Sequence, residues 1–481
     1  MEHDLVVFVP GFLGTRLRRD GRDVWGECGE ALLGPGPPAA PALAELALPA
    51  GLGDALPDER FRLTADELIT VPDSLPGLLS CMGYPDLRAA LGNPVEGQYI
   101  PFPYDWRLSH RLVADLLKAR IQRELARWRE QVDRYYPDRP DDPKVLLVCH
   151  STGGLAGRYY LECEGGRATA RALVTLGTPQ RGLAQAVRLL TGHAIGDDEA
   201  PGMDARPLNE ALRDLALTLP SVAQLLPVYE AVRVDGKSRP RTVDDRRYPV
   251  PDLPTALVED ALSFDRRFQE AREAHRHTDT DGRLPYRVHI VGSRAFPTVR
   301  TVQLSSDGSR VVTRHDDSLV GPGDGTGPGD GTGPGDGTVP GDSAVAEWAV
   351  QEGTAMHWIE CRHADMASAA AVGEVLAAVR KGDPPGGMLA GDEQISVYAP
   401  DTAVAGQPFK ISVVGTGLQE RNVRAVMWRV GRTDKQPVVF TATRSDLFRA
   451  ELEAGPGKWV VQAMADRPSR TDRRLVHLFA H

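Results

Sequence analysis

The sequence predicts an α/β domain followed by a small all-β domain, and three observations carry that prediction. Uninterrupted apolar runs at 5–9 (LVVFV), 144–150 (KVLLVCH), 172–176 (ALVTL) and 287–292 (RVHIVG) read as strands buried on both faces. Helical patterns lie between them, at 109–136, at 153–163, from 183, and at 257–277, and this alternation belongs to a mostly parallel sheet with helices on both faces. Past residue 391 the pattern becomes short alternating runs (ISVYA, FKISVVG, RAVMWRV, VVFTATR, FRAELEA, KWVVQAMA, LVHLFA) separated by turn residues. That is the signature of a β-sandwich of about 90 residues.

The first run ends at Pro10-Gly11, which stops a strand. Residues 28–97 are rich in Pro, Gly and Ala and are expected to form a loop-rich cap. In 109–136, Leu112, Leu116, Leu117, Ile121, Leu125 and Trp128 share a helical stripe. Arg111, Lys118, Arg120, Arg123, Arg127 and Arg129 lie on the other face, which is expected to be solvated. Residues 193–255 are irregular and polar with helical pieces, and read as a second insertion or lid. Residues 357–361 (HWIEC) are expected to form a further strand, and 369–381 a closing helix. The hexamer Gly-Pro-Gly-Asp-Gly-Thr occurs at 321–326, 327–332 and 333–338, inside an expected loop at 321–341. The chain thus divides into an α/β domain at 1–381, a Gly/Pro-rich linker at 382–391 and a β-sandwich at 392–481.

Composition narrows the function. The 481 residues carry 56 Lys and Arg against 66 Asp and Glu, a net charge of −10. That balance argues against nucleic acid or an anionic membrane as the main partner. With 41% hydrophobic residues the chain is globular. It has no apolar run of about 18 residues, so no membrane span is expected. The start, MEHDLVVFVPG, lacks the basic segment, longer apolar stretch and cleavage site of a secretory signal, and a cytoplasmic location is expected. Cys28, Cys81, Cys149, Cys163 and Cys361 are scattered without zinc-ligand spacing and suit a reducing compartment.

The strongest chemical motif is Cys149-His150-Ser151-Thr152-Gly153-Gly154, which joins a buried strand to a helix. A nucleophile elbow needs Ser on a sharp turn with small residues on both sides. Gly153 satisfies that on one side. Cys149 stands where Gly is usual on the other. The helix start behind Ser151 favours developing negative charge. The alternative is a helix-capping Ser. A second motif is the turn 9–14 (VPGFLG). Ester hydrolysis passes through an oxyanion that two backbone N–H groups must meet, here those of Phe12 and Thr152. Without the elbow, it would read as an ordinary Pro-Gly turn.

The third motif is Asp336-Gly337-Thr338-Val339-Pro340. Asp324 and Asp330 share its local context, but only Asp336 is followed by Val-Pro, which can anchor a turn against a core. A calcium site across the three aspartates lacks the ligand density of a calcium loop. The fourth is His363, just past the strand expected at 357–361, where α/β sheets place their chemistry. His357 would begin that strand, about 20 Å away. His150 reads as structural, because adjacent side chains on a strand diverge. His193 and His289 have no motif around them. Ser151, Asp336 and His363 follow the Ser, acid, His order of α/β-hydrolases.

With these residues stands a wider set. VPGFLGTRL with Val24-Trp25, PYDWR at 103–107, HSTGG, TLGTPQRG at 175–182, DGTVP and HADM at 363–366 together resemble the lecithin:cholesterol acyltransferase family over about residues 4–380. The resemblance implies an α/β-hydrolase fold, Ser151 as nucleophile with Asp336 and His363 as partners, and an oxyanion hole from the N–H groups of Phe12 and Thr152. For Asp105 and Arg107 of PYDWR, a buried pair that positions a loop is expected. The β-domain lies outside the resemblance.

The expected activity is acyl transfer from a lipid-like ester to water or to an acceptor alcohol, through an acyl-enzyme and without metal or organic cofactor. The rival from another class is a non-catalytic binding or scaffold protein on the same fold, recruited through its β-domain. Because Ser151, Asp336 and His363 all precede the linker, a chain ending near Gly387 is expected to keep a reactive serine.

Overall fold

The computed structural model describes residues 1–26, 39–76, 78–85, 87–195, 204–235, 239–279, 284–308, 311–312, 332–346, 348–349, 354–382, 395–414, 422–444, 447–466 and 469–479. Six strands build the central sheet: β1 (Leu5–Val9), β2 (Tyr99–Pro101), β3 (Val145–His150), β4 (Ala170–Leu176), β5 (Arg287–Gly292) and β6 (Ala355–Trp358). Their order is β6-β5-β4-β3-β1-β2, and every neighbouring pair is parallel. β1 and β3 are buried at every position, as their unbroken apolar runs require. β2, the edge strand, is half-buried throughout, and its Tyr-Ile-Pro carries no alternation to announce it.

The helices that flank this sheet include α1 (His110–Gln131), α2 (Gly153–Cys163), α3 (Thr255–Arg276) and α4 (Ala370–Lys381). Ser109 caps α1, its side chain accepting a hydrogen bond from Arg111 N. The buried stripe of α1 is Val113, Leu117, Ile121, Leu125 and Trp128, while Leu112 and Leu116 are half-buried. One residue departs from the solvated face. Arg111 is buried, because α3 lays Asp260 against it and takes its Nη1 at 2.6 Å. In 193–255 the structure describes helices Arg206–Ala216 and Pro220–Ala223 and the strand Val232–Val234.

The strand expected at 357–361 runs instead over Ala355–Trp358. Its partner β5 ends at Gly292, which pairs with Trp358, so the ladder stops there. His357 is therefore inside β6, opposite Val291, and does not start the strand at its far edge. Its ring is buried and stacks on that of His289, with centroids 5.7 Å apart.

The β-domain is two sheets over a core that includes Val397, Phe409, Ile411, Val413, Val461 and Val476. One sheet holds Ser396–Tyr398, Phe409–Val414, Leu447–Leu452 and Thr441–Arg444; the other holds Thr402–Val404, Ser469–Phe479, Gly457–Asp466, Val423–Arg429 and Gln436–Val438. The run VVFTATR is thus two strands, one in each sheet, because the chain crosses the sandwich between Val438 and Thr441. Most of the expected linker lies outside the described residues.

The two domains share a buried interface. Met82, Val460 and Leu475 pack together with Ala364 and Trp428. Lys458 of the β-domain donates to Asp73 at 2.6 Å, and Ser74 meets His477 at 2.5 Å. Asp73 and Lys458 are both buried, and burial pushes the Asp73 carboxyl above its ordinary range even with the ammonium beside it. A chain ending near Gly387 would leave Asp73 without its cation and expose Met82. Lys458→Met should cost about 3–5 kcal/mol in urea unfolding, because it strands a buried carboxylate. Adding Asp73→Asn should recover most of the loss; a single variant as stable as wild type would refute this.

Candidate active site

The site forms where β3 turns into α2. Ser151 has φ +52°, a left-handed conformation costly for a residue with a side chain. The turn persists because its neighbours make room. A Cβ at Gly153 would come within 2.4 Å of the Pro10 carbonyl oxygen, and one at Gly11 within 2.6 Å of Ser151 Cβ. A Cβ at Gly154 would strike the Thr178 hydroxyl. The Cys149 departure has its compensation one helical turn on. Cys149 is fully buried, and a Cβ at Gly157 would lie 2.7 Å from its sulfur. A glycine on the helix, Gly157, leaves room for the Cys149 side chain.

Ser151 Oγ lies 2.8 Å from His363 Nε2, and His363 Nδ1 lies 2.9 Å from Asp336 Oδ2. The proton positions follow from the partners. A carboxylate only accepts, so Nδ1 carries the hydrogen and Nε2 is left to accept from the serine hydroxyl. Asp336 Oδ1 accepts from Thr338 N (2.9 Å) and Val339 N (2.6 Å), which fixes the carboxylate and leaves Oδ2 for the imidazole. Val339 is buried and holds this turn against the core. His363 N also donates to the Asp336 carbonyl at 3.0 Å. Asp324 and Asp330 lie outside the described residues.

Gly177, at the end of β4, completes the packing, and sequence reasoning missed its role. Its φ is +59°, and a Cβ there would come 2.9 Å from His363 Nδ1 and 3.0 Å from Asp336 Oδ2. The signal was present in Leu-Gly-Thr-Pro after a buried strand.

Phe12 is buried, and its ring meets Trp106 edge to face at 4.7 Å. Trp106 in turn meets Trp25, whose Nε1 donates to Leu13 O at 2.9 Å. Leu13 has φ +67°, so the loop is held in a strained shape by this aromatic stack. Tyr104 donates from its hydroxyl to Pro10 O at 3.0 Å. Asp105 and Arg107 form a buried two-pronged pair, with Arg107 also donating to Leu46 O and Phe61 O. None of these bonds reaches Ser151 or His363. Among the described residues, neither the Phe12 nor the Thr152 N–H has a protein acceptor.

His150 is a second histidine within reach of the first, their ring centroids 5.1 Å apart. Its Nε2 donates to His363 O at 3.0 Å, so its Nδ1 accepts from the Tyr84 hydroxyl at 2.9 Å. Tyr84 accepts in turn from Gly11 N at 3.2 Å. Burial first, and the neighbouring His363 second, push His150 down to about 3, so it stays neutral and serves as a fixed donor. Ser151, His363 and Asp336 are each 1–2% exposed. Among the described residues, no group of three or more His, Cys, Asp or Glu could hold a metal ion, and no helix is long and apolar enough to cross a membrane.

A mostly parallel sheet that delivers a serine on a left-handed turn into a helix defines the α/β-hydrolase architecture. Residues 91–244 match the family of lecithin:cholesterol acyltransferase, so the resemblance read from the motifs is borne out there. That segment contains PYDWR and Ser151 and stops before Asp336 and His363. The match supports an acyl-ester hydrolase or acyltransferase. No curated protein sequence matches the chain. Among solved structures, the crystal structure of a Tle4–Tli4 complex is similar at 14% identity and TM-score 0.44, covering 79% of this chain and 98% of that one. The Bacillus licheniformis lipase BlEst2 in its propeptide form is similar at 10% identity and TM-score 0.32, covering 98% of this chain and 74% of that one.

The close approach at Gly177 yields a test. Gly177→Ala should lower ester hydrolysis by about 100-fold, through displacement of the His363 ring, with the circular dichroism spectrum unchanged. Wild-type turnover in that variant would mean the ring has slack that the geometry denies.

Proposed function

We propose that the protein is a serine acyl-ester hydrolase or acyltransferase acting on lipid-like esters, with Ser151 as nucleophile, His363 as general base and Asp336 as its orienting carboxylate. The observation that carries this reading is the unbroken line of contacts Ser151 Oγ–His363 Nε2 (2.8 Å) and His363 Nδ1–Asp336 Oδ2 (2.9 Å).

The reaction follows from that line. Ser151 Oγ attacks the ester carbonyl carbon as its proton passes to His363 Nε2. Asp336 stabilises the imidazolium that forms and holds it in the correct tautomer. Negative charge collects on the former carbonyl oxygen, where the N–H groups of Phe12 and Thr152 are assigned to meet it. The aromatic stack behind Phe12 and the start of α2 behind Thr152 keep both donors in place before reaction, which avoids reorganisation cost. Collapse expels the alcohol, which takes the proton from His363 and leaves the acyl group on Ser151. Water, or an acceptor alcohol, then repeats the sequence in reverse. Which of them wins depends on how far the cap excludes water from the acyl-enzyme.

Ser151→Ala should abolish hydrolysis of p-nitrophenyl esters while the fold survives, and His363→Ala should be comparably severe, since the three groups act as a unit. Asp336→Asn should lower turnover by about 10⁴-fold, because the imidazole loses its charged partner and preferred tautomer. Wild-type rates in the Ser151 variant would refute the reading. Adding a long-chain alcohol and identifying products by mass spectrometry separates hydrolysis from transfer.

A further inference from the structure

Resting on the reading of His363 as the general base, we infer that the β-domain supplies a positioning residue to the active site: Asp472, acting through Arg362, holds the loop that carries His363 against the turn that carries Asp336.

Arg362 immediately precedes His363 and is buried. Its Nε donates to both carboxylate oxygens of Asp472, at 2.7 and 2.8 Å. Asp472 lies on the strand Ser469–Phe479 of the β-domain and is itself buried. The pair is locked to a second strand, Ser396–Tyr398. Arg362 Nη2 donates to Val397 O at 2.9 Å, and Val397 N donates to Asp472 Oδ2 at 2.6 Å. Both backbone groups of Val397 are thereby used by this one ion pair.

The other side of the Arg362 guanidinium faces the acid turn. A Cβ at Gly337 would come within 2.8 Å of Arg362 Nη1, and the guanidinium sits 4.3 Å from the centre of the Phe296 ring. Phe296 bridges to Asp336 and pairs with Gly335. The planar cation thus fills the space between the β-domain and the backbone on which Asp336 is mounted. A second tie reaches the same histidine loop two residues further on, where Arg473 pairs with Asp365. Two consecutive residues of one β-domain strand therefore grip the residue just before His363 and the residue two beyond it.

A general base must be held within a fraction of an ångström of its partners. His363 sits on a short 3-10 turn, His363–Ser368, which has little internal rigidity of its own. Rigidity borrowed from the long strand Ser469–Phe479 would supply it. The rest of the interface uses other side chains. Lys458–Asp73 and Ser74–His477 join the β-domain to the hairpin Asp73–Leu75/Leu79–Cys81, whose neighbour Met82 donates from its N to Ala364 O at 3.3 Å, so this second contact borders the histidine loop without bonding to Arg362 or Asp365.

The test uses the full chain, p-nitrophenyl butyrate, and rates normalised to serine titrated by a fluorophosphonate. Asp472→Asn keeps the shape and removes the charge. Its kcat is expected to fall about tenfold with KM within about twofold, and Asp472→Glu is expected to recover part of that loss. Lys458→Met/Asp73→Asn, which alters the same interface at side chains that bond to neither Arg362 nor Asp365, is expected to keep kcat. A folded Asp472→Asn protein with wild-type kcat overturns the inference. So does an equal loss in the Lys458→Met/Asp73→Asn variant, which would make the effect one of domain docking. If Asp472→Asn does not fold, Arg473→Gln, at a partly exposed site, decides: lowered kcat at constant KM supports the inference and unchanged kcat overturns it. Activity that survives Ser151→Ala would instead overturn the reading beneath it.

Discussion

Ser151 occupies a left-handed backbone conformation where the parallel strand β3 turns into helix α2, and much of the surrounding sequence is shaped by that requirement. Gly11, Gly153 and Gly154 are small because carbonyl and side-chain atoms of neighbouring segments press into the places where their Cβ atoms would stand. Gly177 is small for the same reason, on behalf of His363 and Asp336. The strain of the turn is offset by the largely buried strands on either side, whose ladder holds Ser151 N against Leu176 O at 2.8 Å. The site is thus a steric construction before it is an electrostatic one.

Around that turn, three loops meet, each fixed by different chemistry. The loop after β1 is held by an aromatic stack of Phe12, Trp106 and Trp25. The acid turn is held by two backbone N–H groups on Asp336 Oδ1 and by buried Val339. The histidine loop has the weakest local structure and the most outside support, from His150 on one side and the β-domain on the other. His150 joins two of the three loops through a single chain of hydrogen bonds, from Gly11 N through Tyr84 to the His363 carbonyl. The structural role expected for His150 agrees with its two ring hydrogen bonds, to the Tyr84 hydroxyl and the His363 carbonyl. Adjacency to Ser151 conceals that its other ring nitrogen serves the loop that carries His363.

The parts legible in the sequence were those with short-range causes. Uninterrupted apolar runs gave β1, β3, β4 and β5 to within about two residues, as such runs should. Gly-rich turns after two of them marked where side chains could converge. The anchoring power of Val-Pro singled out Asp336 among three similar aspartates, and it is Asp336 that meets His363. What stayed hidden depends on contacts distant in the chain. β6 ends where its partner ends, not where its own apolar run ends. Arg111 is buried because α3 brings Asp260 to it. The crossing of the β-sandwich between Val438 and Thr441 leaves no mark in an otherwise continuous β-pattern. The grip of the β-domain on the histidine loop joins residues 110 positions apart, which no motif records.

The central claim is that Ser151 is a nucleophile activated by His363. Its most direct measurement is peptide mapping by mass spectrometry after brief exposure of the full chain to a fluorophosphonate, in wild type and in His363→Ala. The account predicts one adduct, on the peptide containing Ser151, formed quickly in wild type and at least about 100-fold more slowly without the imidazole. An adduct on another residue, or labelling of Ser151 at the same rate in both proteins, would contradict it.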